Sequence, residues 1–277
     1  LYPLGLAGVD LRRWFEGAAL TEADIHTAWQ LAAFLDAQGL EGRDKVTLLL
    51  SKPLAGAAFW TKQDFEESLG KSEEAGIKIV INEPVRVANY RSPKEGHQDR
   101  VFLAVEREGE TGVDRAKLAA LRRAGYPVAH LVLDKDAPLS QYMQFIHYAV
   151  FGLGWLRQMN FVTQPSVELY KSITNPLYEH SRVTNGIEGV PEWQKMKASP
   201  RQIKYRGGLV FRYDRLPCDI ELNGRDAPAA YASLLKQLAD ARAIEYGELT
   251  FFGDMRYSAS GLALKKRLER AAESVFR

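Results

Sequence analysis

Short apolar segments alternate with segments of helical periodicity over residues 20–154. The strand predictions fall on 43–51, 77–81, 100–106 and 128–133, and the helix predictions on 20–39, 57–69, 114–126 and 139–154. Parallel strands need crossover connections, which helices usually supply, so this alternation predicts a parallel sheet covered on both faces. The expected fold class is α/β, a three-layer sandwich. Such sheets bind ligands at the carboxyl ends of their strands.

The remaining residues predict a smaller β/α segment. A helix is expected from Gln164, with Pro165 in its first turn, where a missing N–H is harmless. Residues 184–208 are rich in Gly, Pro, Lys and Asn and suggest a connection. Strands are predicted at 208–213 and 248–253, and helices at 227–241 and 261–276. The predicted domains are therefore 1–183 and 184–277.

Charge and cysteine content exclude several classes of protein. A formal net charge of +2 over 277 residues argues against a dedicated nucleic-acid surface. The single cysteine, Cys218, excludes an internal disulfide framework and favours the cytoplasm. No apolar run reaches the roughly 18 residues of a membrane span, so no membrane partner is expected. The chain begins with Leu1 rather than Met, and we expect it to be a fragment.

The stretch FEESLGKS, residues 65–72, has two interpretations. Its Gly-Lys-Ser end resembles a phosphate-binding P-loop, whose first glycine would stand at position 65, where this chain has Phe65. A P-loop also precedes its helix, whereas this stretch ends one, and there the helix dipole repels anions. The nucleotide-binding interpretation therefore fails.

The carboxylates of the same stretch could instead serve catalysis. Glu67 shares a helical face with Trp60 and Gln63 and lies at a helix end, where a loop can open onto a crevice. The simpler alternative is that the Glu66-Glu67 pair is a solvated surface. The residues alone leave both interpretations open and favour the second.

Two motifs in order give the stretch a family resemblance. Glu67-Ser68-Leu69-Gly70-Lys71 resembles the Glu-Ser-x-Gly-Lys motif of glucose-6-phosphate isomerase. NFVTQPSVELYKS, 160–172, is similar to a second segment of that family, matched here at Asn160, Gln164, Val167, Glu168 and Lys171. Residues 4–18 resemble the entry into its second sugar-isomerase (SIS) domain. Residues 42–50 resemble the isomerase half of bifunctional transaldolase/glucose-6-phosphate isomerases. The resemblance covers 4–172 and weakens beyond.

The resemblance implies a flavodoxin-like SIS fold and a function. It implies interconversion of glucose 6-phosphate and fructose 6-phosphate, in glycolysis and gluconeogenesis, through a cis-enediol, with no cofactor and no metal. Glu67 would be the catalytic base, and Lys171 would stabilise negative charge or assist ring opening. Substrate binding would fall to Ser68, Gly70, Lys71, Gln164 and His97. The simpler alternative for Lys171 is a surface ion pair with Glu168 at i, i+3 spacing.

The histidines carry weaker expectations. His97 lies in a polar loop, SPKEGHQDR, 92–100, and is the freest to reach a ligand. His130 falls within a predicted strand, and His147 on an apolar helix; both are expected to be core residues. No histidine pair has metal-ligand spacing.

Departures from the family pattern define the rival interpretations. The phosphate-binding loop and an arginine of the family's site belong to segments without a counterpart here. The family's Asp-Gln is Thr163-Gln164, and its ring-opening histidine has no clear match. The alternatives to an isomerase are a non-catalytic sugar-phosphate-binding module and a scaffold with vestigial motifs. The expected partners are the sugar phosphate, a second copy in a homodimer and a fused transaldolase domain.

Overall fold

The computed structural model describes residues 1–72, 75–205, 210–212, 219, 227–242 and 258–275. The chain divides into two compact units, Leu1–Lys171 and Ser172–Arg277. Within the described ranges, no helix combines the length and the apolar character needed to cross a membrane.

The first unit contains a four-stranded sheet and most of the helices. Its strands are β1 Lys45–Leu50, β2 Lys78–Val80, β3 Arg100–Arg107 and β4 Val128–Leu133. Its helices are α1 Tyr2–Leu6, α2 Leu11–Gly17, α3 Glu22–Leu40, α4 Ala58–Leu69, α5 Arg115–Ala124 and α6 Leu139–Leu156, while α7, Pro165–Val183, begins in this unit and ends in the second. Short 3₁₀ turns lie at Lys52–Ala57 and Val87–Asn89.

All four strands are parallel, in the order β2-β1-β3-β4. Val46 of β1 lies opposite Ile79 of β2 and Val101 of β3. This order matches the first four strands of a flavodoxin-like, doubly wound sheet. The prediction of an α/β fold with a central parallel sheet between helical layers is confirmed, and the architecture is consistent with a SIS-like domain.

The period-two alternation of β3 divides the core between the two faces of the sheet. Val101, Leu103 and Val105 are buried on one face, against α3, α4 and α6. Phe102 and Ala104 are buried on the other face, against α5 and Tyr126. Both sides of β3 are therefore apolar, as expected of a strand buried between two layers.

Local signals in the sequence explain where the helices begin and end. Thr21 and Asp24 form a reciprocal capping box at the start of α3. Asp114 caps α5 by accepting from the Lys117 N–H, and Gly125 ends that helix in the left-handed conformation.

The second unit contains a two-stranded antiparallel sheet and further helices. The strands are β5 Gln202–Lys204 and β6 Val210–Arg212; the helices are α8 Pro191–Lys197, α9 Ala227–Asp240 and α10 Ala259–Val275. The predicted connection at 184–208 thus contains α8 and β5. The strand predicted at 248–253 lies outside the described residues.

Candidate functional site

The direction of α4 sets the position of the first motif. Because α4 joins the carboxyl end of β1 to the amino end of β2, its last turn lies at the amino edge of the sheet. The Ile79 N–H of β2 donates to Glu66 Oε1 at 3.0 Å, which fixes that turn beside β2. The motif therefore lies at the edge opposite to the one where parallel sheets usually bind ligands.

Glu66 has a structural role. Besides the Ile79 N–H, its carboxylate accepts from Lys62 Nζ at 2.7 and 2.8 Å and from Lys78 Nζ at 3.2 Å. It therefore joins α4 to β2 through both charge and hydrogen bonding.

Glu67 is half-buried on the adjacent face of α4. Its Oε2 accepts from Gln63 Nε2 at 3.0 Å, one turn earlier, which orients the carboxylate. Gly70 follows at the helix end, where a Cβ would lie 2.5 Å from the Glu66 carbonyl oxygen. A side chain at this position would therefore force the backbone of the turn after Glu67 to shift.

A carboxylate and a histidine that the sequence analysis did not select lie next to Glu67. His147 of α6 approaches Asp64, with Nε2 3.7 Å from Asp64 Oδ1, and its ring packs on Trp60 at 5.2 Å between centroids. Burial raises the pKa of Asp64; His147 opposes this effect and Glu67 adds to it.

The sequence contained a signal for Asp64 but not for His147. Asp64 stands four residues after Trp60 and three before Glu67, which places it on the helical face already considered for catalysis. The prediction that His147 is a core residue is wrong, because its side chain is 52% exposed. His130 is mostly buried, as predicted, and its Nε2 lies 2.9 Å from Glu106 Oε1.

Lys71 connects the two sequence motifs. Its Nζ donates to the carbonyl oxygens of Glu67 at 3.0 Å and Phe161 at 3.2 Å, and also to that of Thr163. An ammonium has three N–H donors, so these bonds use all of them. Burial lowers the pKa of Lys71, and the Glu67 carboxylate opposes that effect. Substrate binding by Lys71 would require breaking one of these bonds.

The second motif is shaped by its own side chains. Asn160 Oδ1 accepts from the N–H groups of Val162 and Thr163, at 3.2 and 3.3 Å, and forms a tight turn. The Phe161 ring packs edge-on against Phe151 of α6 at 5.7 Å. Half-buried Gln164 precedes α7, and its carbonyl accepts from the Glu168 N–H at 3.1 Å. The turn thus fixes the start of α7 close to the three hydrogen bonds that Lys71 donates to the carbonyls of Glu67, Phe161 and Thr163. We call these three bonds the Lys71 clamp.

The remaining predicted site residues have different surroundings. Lys171 Nζ lies 2.8 Å from Glu168 Oε1, and the Lys171 side chain is 53% exposed. This is the surface ion pair that the sequence analysis gave as the alternative to a catalytic role. His97 is exposed just before β3, with a positive φ of 76°. Ser68 is half-buried in the last turn of α4. Glu67, Lys71 and the 160–164 turn are therefore brought together by described contacts, whereas His97 lies at the start of another strand.

An apolar groove of about 330 Å³ lies beside the second motif. Phe151, Trp155, Met159 and Phe161 contribute to its walls. Its volume is at the lower limit for small-molecule sites.

Among the described ranges, no group of three or more His, Cys, Asp or Glu side chains could hold a metal ion. The arrangement offers the Glu67 carboxylate as a base, the Asp64 carboxylate with a raised pKa, and His147 beside Asp64.

No protein-family model matches this chain, and a search of curated proteins finds no match either.

Proposed function

We propose that this chain is an aldose–ketose isomerase domain that interconverts glucose 6-phosphate and fructose 6-phosphate. The observation that carries the proposal is the Lys71 clamp, which joins the end of the Glu67 motif to the turn that begins the second motif. Two segments that resemble one family's active-site motifs are thus adjacent in space. If each segment matched the family's motif only by chance, nothing would require the two segments to be in contact.

Proton transfer between C1 and C2 of the sugar needs a base over the carbon and a donor for the developing oxyanion. Glu67 takes the role of base in this proposal, since its carboxylate is half-buried and oriented by Gln63. Lys171 and Gln164 supply the positive charge and the amide donor near the oxygens. Ser68 and Gly70 contribute substrate contacts, and His97, which lies at the start of another strand, is left out of the proposed site.

The Lys171–Glu168 ion pair bears on the choice between turnover and binding. In the proposed reaction, Lys171 exchanges Glu168 for the substrate, and the exchange costs little because exposed pairs at i, i+3 are worth a few tenths of a kcal/mol. The same pair favours the second candidate, a sugar-phosphate-binding module without turnover, in which Lys171 stays bound to Glu168.

Solvent isotope exchange separates the two candidates. The protein is incubated with fructose 6-phosphate in D₂O, and deuterium at C2 of glucose 6-phosphate is followed by NMR. An isomerase that proceeds through a cis-enediol incorporates deuterium there. Ligand binding without any isotope incorporation or product would support the binding module and refute the isomerase.

A further inference from the structure

A cationic surface of the second unit lies outside the proposed reaction. Residues 190–212 contain six basic residues and one acidic residue, Glu192, which gives this segment a net charge of +5, whereas the whole chain carries +2. The overall charge therefore conceals a strongly basic segment. Five of its basic residues fall within the described ranges, and all five are exposed: Lys195, Lys197, Arg201, Lys204 and Arg212. We call these five residues the basic surface.

The antiparallel pair of β5 and β6 places two of these cations on one face. Gln202 lies opposite Arg212, so Lys204, two residues after Gln202 on β5, shares their face. Positions related diagonally in this way are about 7–8 Å apart, which holds two like charges close together. Phe211 belongs to the other face, where its ring packs against Tyr231 at 6.4 Å. The packed face is therefore aromatic, and the opposite face is cationic.

The end of α8 adjoins the cationic face. Gln202 Nε2 donates to the carbonyl oxygen of Lys197, the last residue of α8, at 2.7 Å. Because the Gln202 side chain lies on the cationic face of the two strands, this bond holds the last turn of α8, with Lys195 and Lys197, beside that face. Arg201 lies in the short connection between α8 and β5. The five cations are therefore grouped by the fold as well as by the sequence.

Acidic side chains do not balance this group. Within the described ranges, no ion pair joins any of the five cations to a carboxylate, whereas Lys236 pairs with Asp240 and Lys265 with Glu269 in the same unit. Lys197 instead lies over the Trp193 ring, with Nζ 5.5 Å from its centroid. Like charges grouped without counter-charges repel one another, and a bound polyanion would relieve that repulsion.

We propose that the basic surface binds the phosphate backbone of double-stranded nucleic acid without reading its sequence. Lysine and arginine side chains that neutralise phosphates release the counterions condensed on the duplex, and this electrostatic effect supplies essentially all of non-specific binding. The proposal goes beyond the proposed isomerase function and does not depend on it, since the five cations belong to the second unit.

The composition of the surface favours a duplex over other anionic partners. Acidic proteins and membranes are usually bound through apolar anchors as well as charge. Among the described residues of 190–212, no large hydrophobic side chain is exposed. Single strands stack their bases on aromatic side chains. The aromatic rings of this segment pack against one another or lie beneath Lys197, so the exposed contacts are those that a phosphate backbone uses.

The salt dependence of binding tests the proposal. A fluorescein-labelled DNA duplex of mixed sequence is titrated with the 277-residue chain, and anisotropy gives the association constant at several NaCl concentrations. Each neutralised phosphate contributes about −0.9 to the slope of log association constant against log salt concentration, so five cations give at most about −4.5. We expect a slope of about −3 to −4.5, which is a loss of about 60- to 500-fold in affinity between about 50 and 200 mM salt.

Charge-matched variants separate this surface from the overall charge. Lys204→Gln/Arg212→Gln removes two cations of the surface and is expected to make the slope shallower by about 2 and to weaken binding at about 50 mM salt at least tenfold. Lys236→Gln/Lys265→Gln removes two cations of the same unit that are paired with acids, and it is expected to bind like the wild type. Circular dichroism checks that each variant is folded.

A second variant covers the case in which the changes on β5 and β6 prevent folding. Lys195→Gln/Lys197→Gln, on α8, removes the same amount of charge without altering the strands, and it is expected to make the slope shallower by the same amount.

Two results would overturn the proposal. Equal losses of affinity in the surface variants and in Lys236→Gln/Lys265→Gln would show that net charge alone explains binding, and a wild-type slope shallower than about −2 would show that too few phosphates are neutralised. Competition identifies the partner. Displacement of the labelled duplex by polyglutamate or by phosphatidylserine-containing vesicles as readily as by unlabelled duplex, at equal anionic charge, would also overturn the proposal, in favour of an acidic protein or a membrane.

Discussion

Replacing Lys71 by methionine removes the clamp between the two motifs while keeping an unbranched side chain of similar length. Three hydrogen bonds to backbone carbonyls are lost. Hydrogen bonds from charged groups contribute about 1.5–3 kcal/mol each when buried, and the half-buried position of Lys71 reduces this to about 0.5–1 kcal/mol each. We therefore expect Lys71→Met to lower the free energy of unfolding by about 1.5–3 kcal/mol, or roughly 3–12 °C in Tm.

Two measurements check this expectation. Urea denaturation gives the loss of stability, and hydrogen exchange is expected to accelerate at Val162 and Thr163, whose N–H groups lie in the clamped turn. Lys171→Met is the matched control, since it removes one exposed ion pair. A loss of stability in Lys71→Met no larger than in Lys171→Met, with unchanged exchange at the turn, would refute the clamp.

Further predictions concern Lys171, Asp64 and the binding of substrate. Lys171→Met is expected to change the free energy of unfolding by only a few tenths of a kcal/mol but to reduce turnover strongly; a variant with normal kcat would remove Lys171 from the site. Because burial raises the pKa of Asp64, this group's contribution to stability is full below the ordinary carboxyl range of about 4 and is lost as pH rises through the raised value. The stability of Asp64→Asn relative to wild type should therefore increase from about pH 3.5 to 7 in urea denaturation, and a pH-independent difference would contradict the burial argument. The 277-residue chain should bind glucose 6-phosphate no tighter than about millimolar by calorimetry, because sugar hydroxyls alone give about 1 kcal/mol per hydrogen bond. Micromolar binding would instead indicate a phosphate site in this chain, to be sought first at Asn185-Gly186 and at Lys195, Lys197, Arg201 and Lys204.

Elements with strong local signals could be predicted from the sequence. The helices expected at 20–39 and 114–126 are bounded by the capping box of Thr21 and Asp24 and by the left-handed Gly125, each of which depends on residues a few positions apart. The four parallel strands were also predictable, since burial between two layers demands continuous apolar runs. The short α8 was missed because its surroundings have the composition of a loop.

The candidate site was less predictable because it depends on contacts between distant segments. Lys71 was assigned to substrate binding, but its partners Phe161 and Thr163 are known only from the fold. The expectation that Glu66 is an ordinary surface residue failed for the same reason, because its partner Ile79 lies on the neighbouring strand. The position of the motif at the amino edge of the sheet follows from the direction of α4 and contradicts a general rule about where parallel sheets bind ligands.

The turnover of Glu67→Gln with fructose 6-phosphate tests the central claim most directly. The substitution keeps the shape and the Gln63 contact of the side chain and removes the base, so the account predicts a loss of about 10²–10⁴-fold in kcat with ligand affinity nearly unchanged. Glu179→Gln is a better control than Glu66→Gln, because Glu66 joins α4 to β2. Near-normal turnover in a folded Glu67→Gln protein would contradict the assignment of Glu67 as the catalytic base.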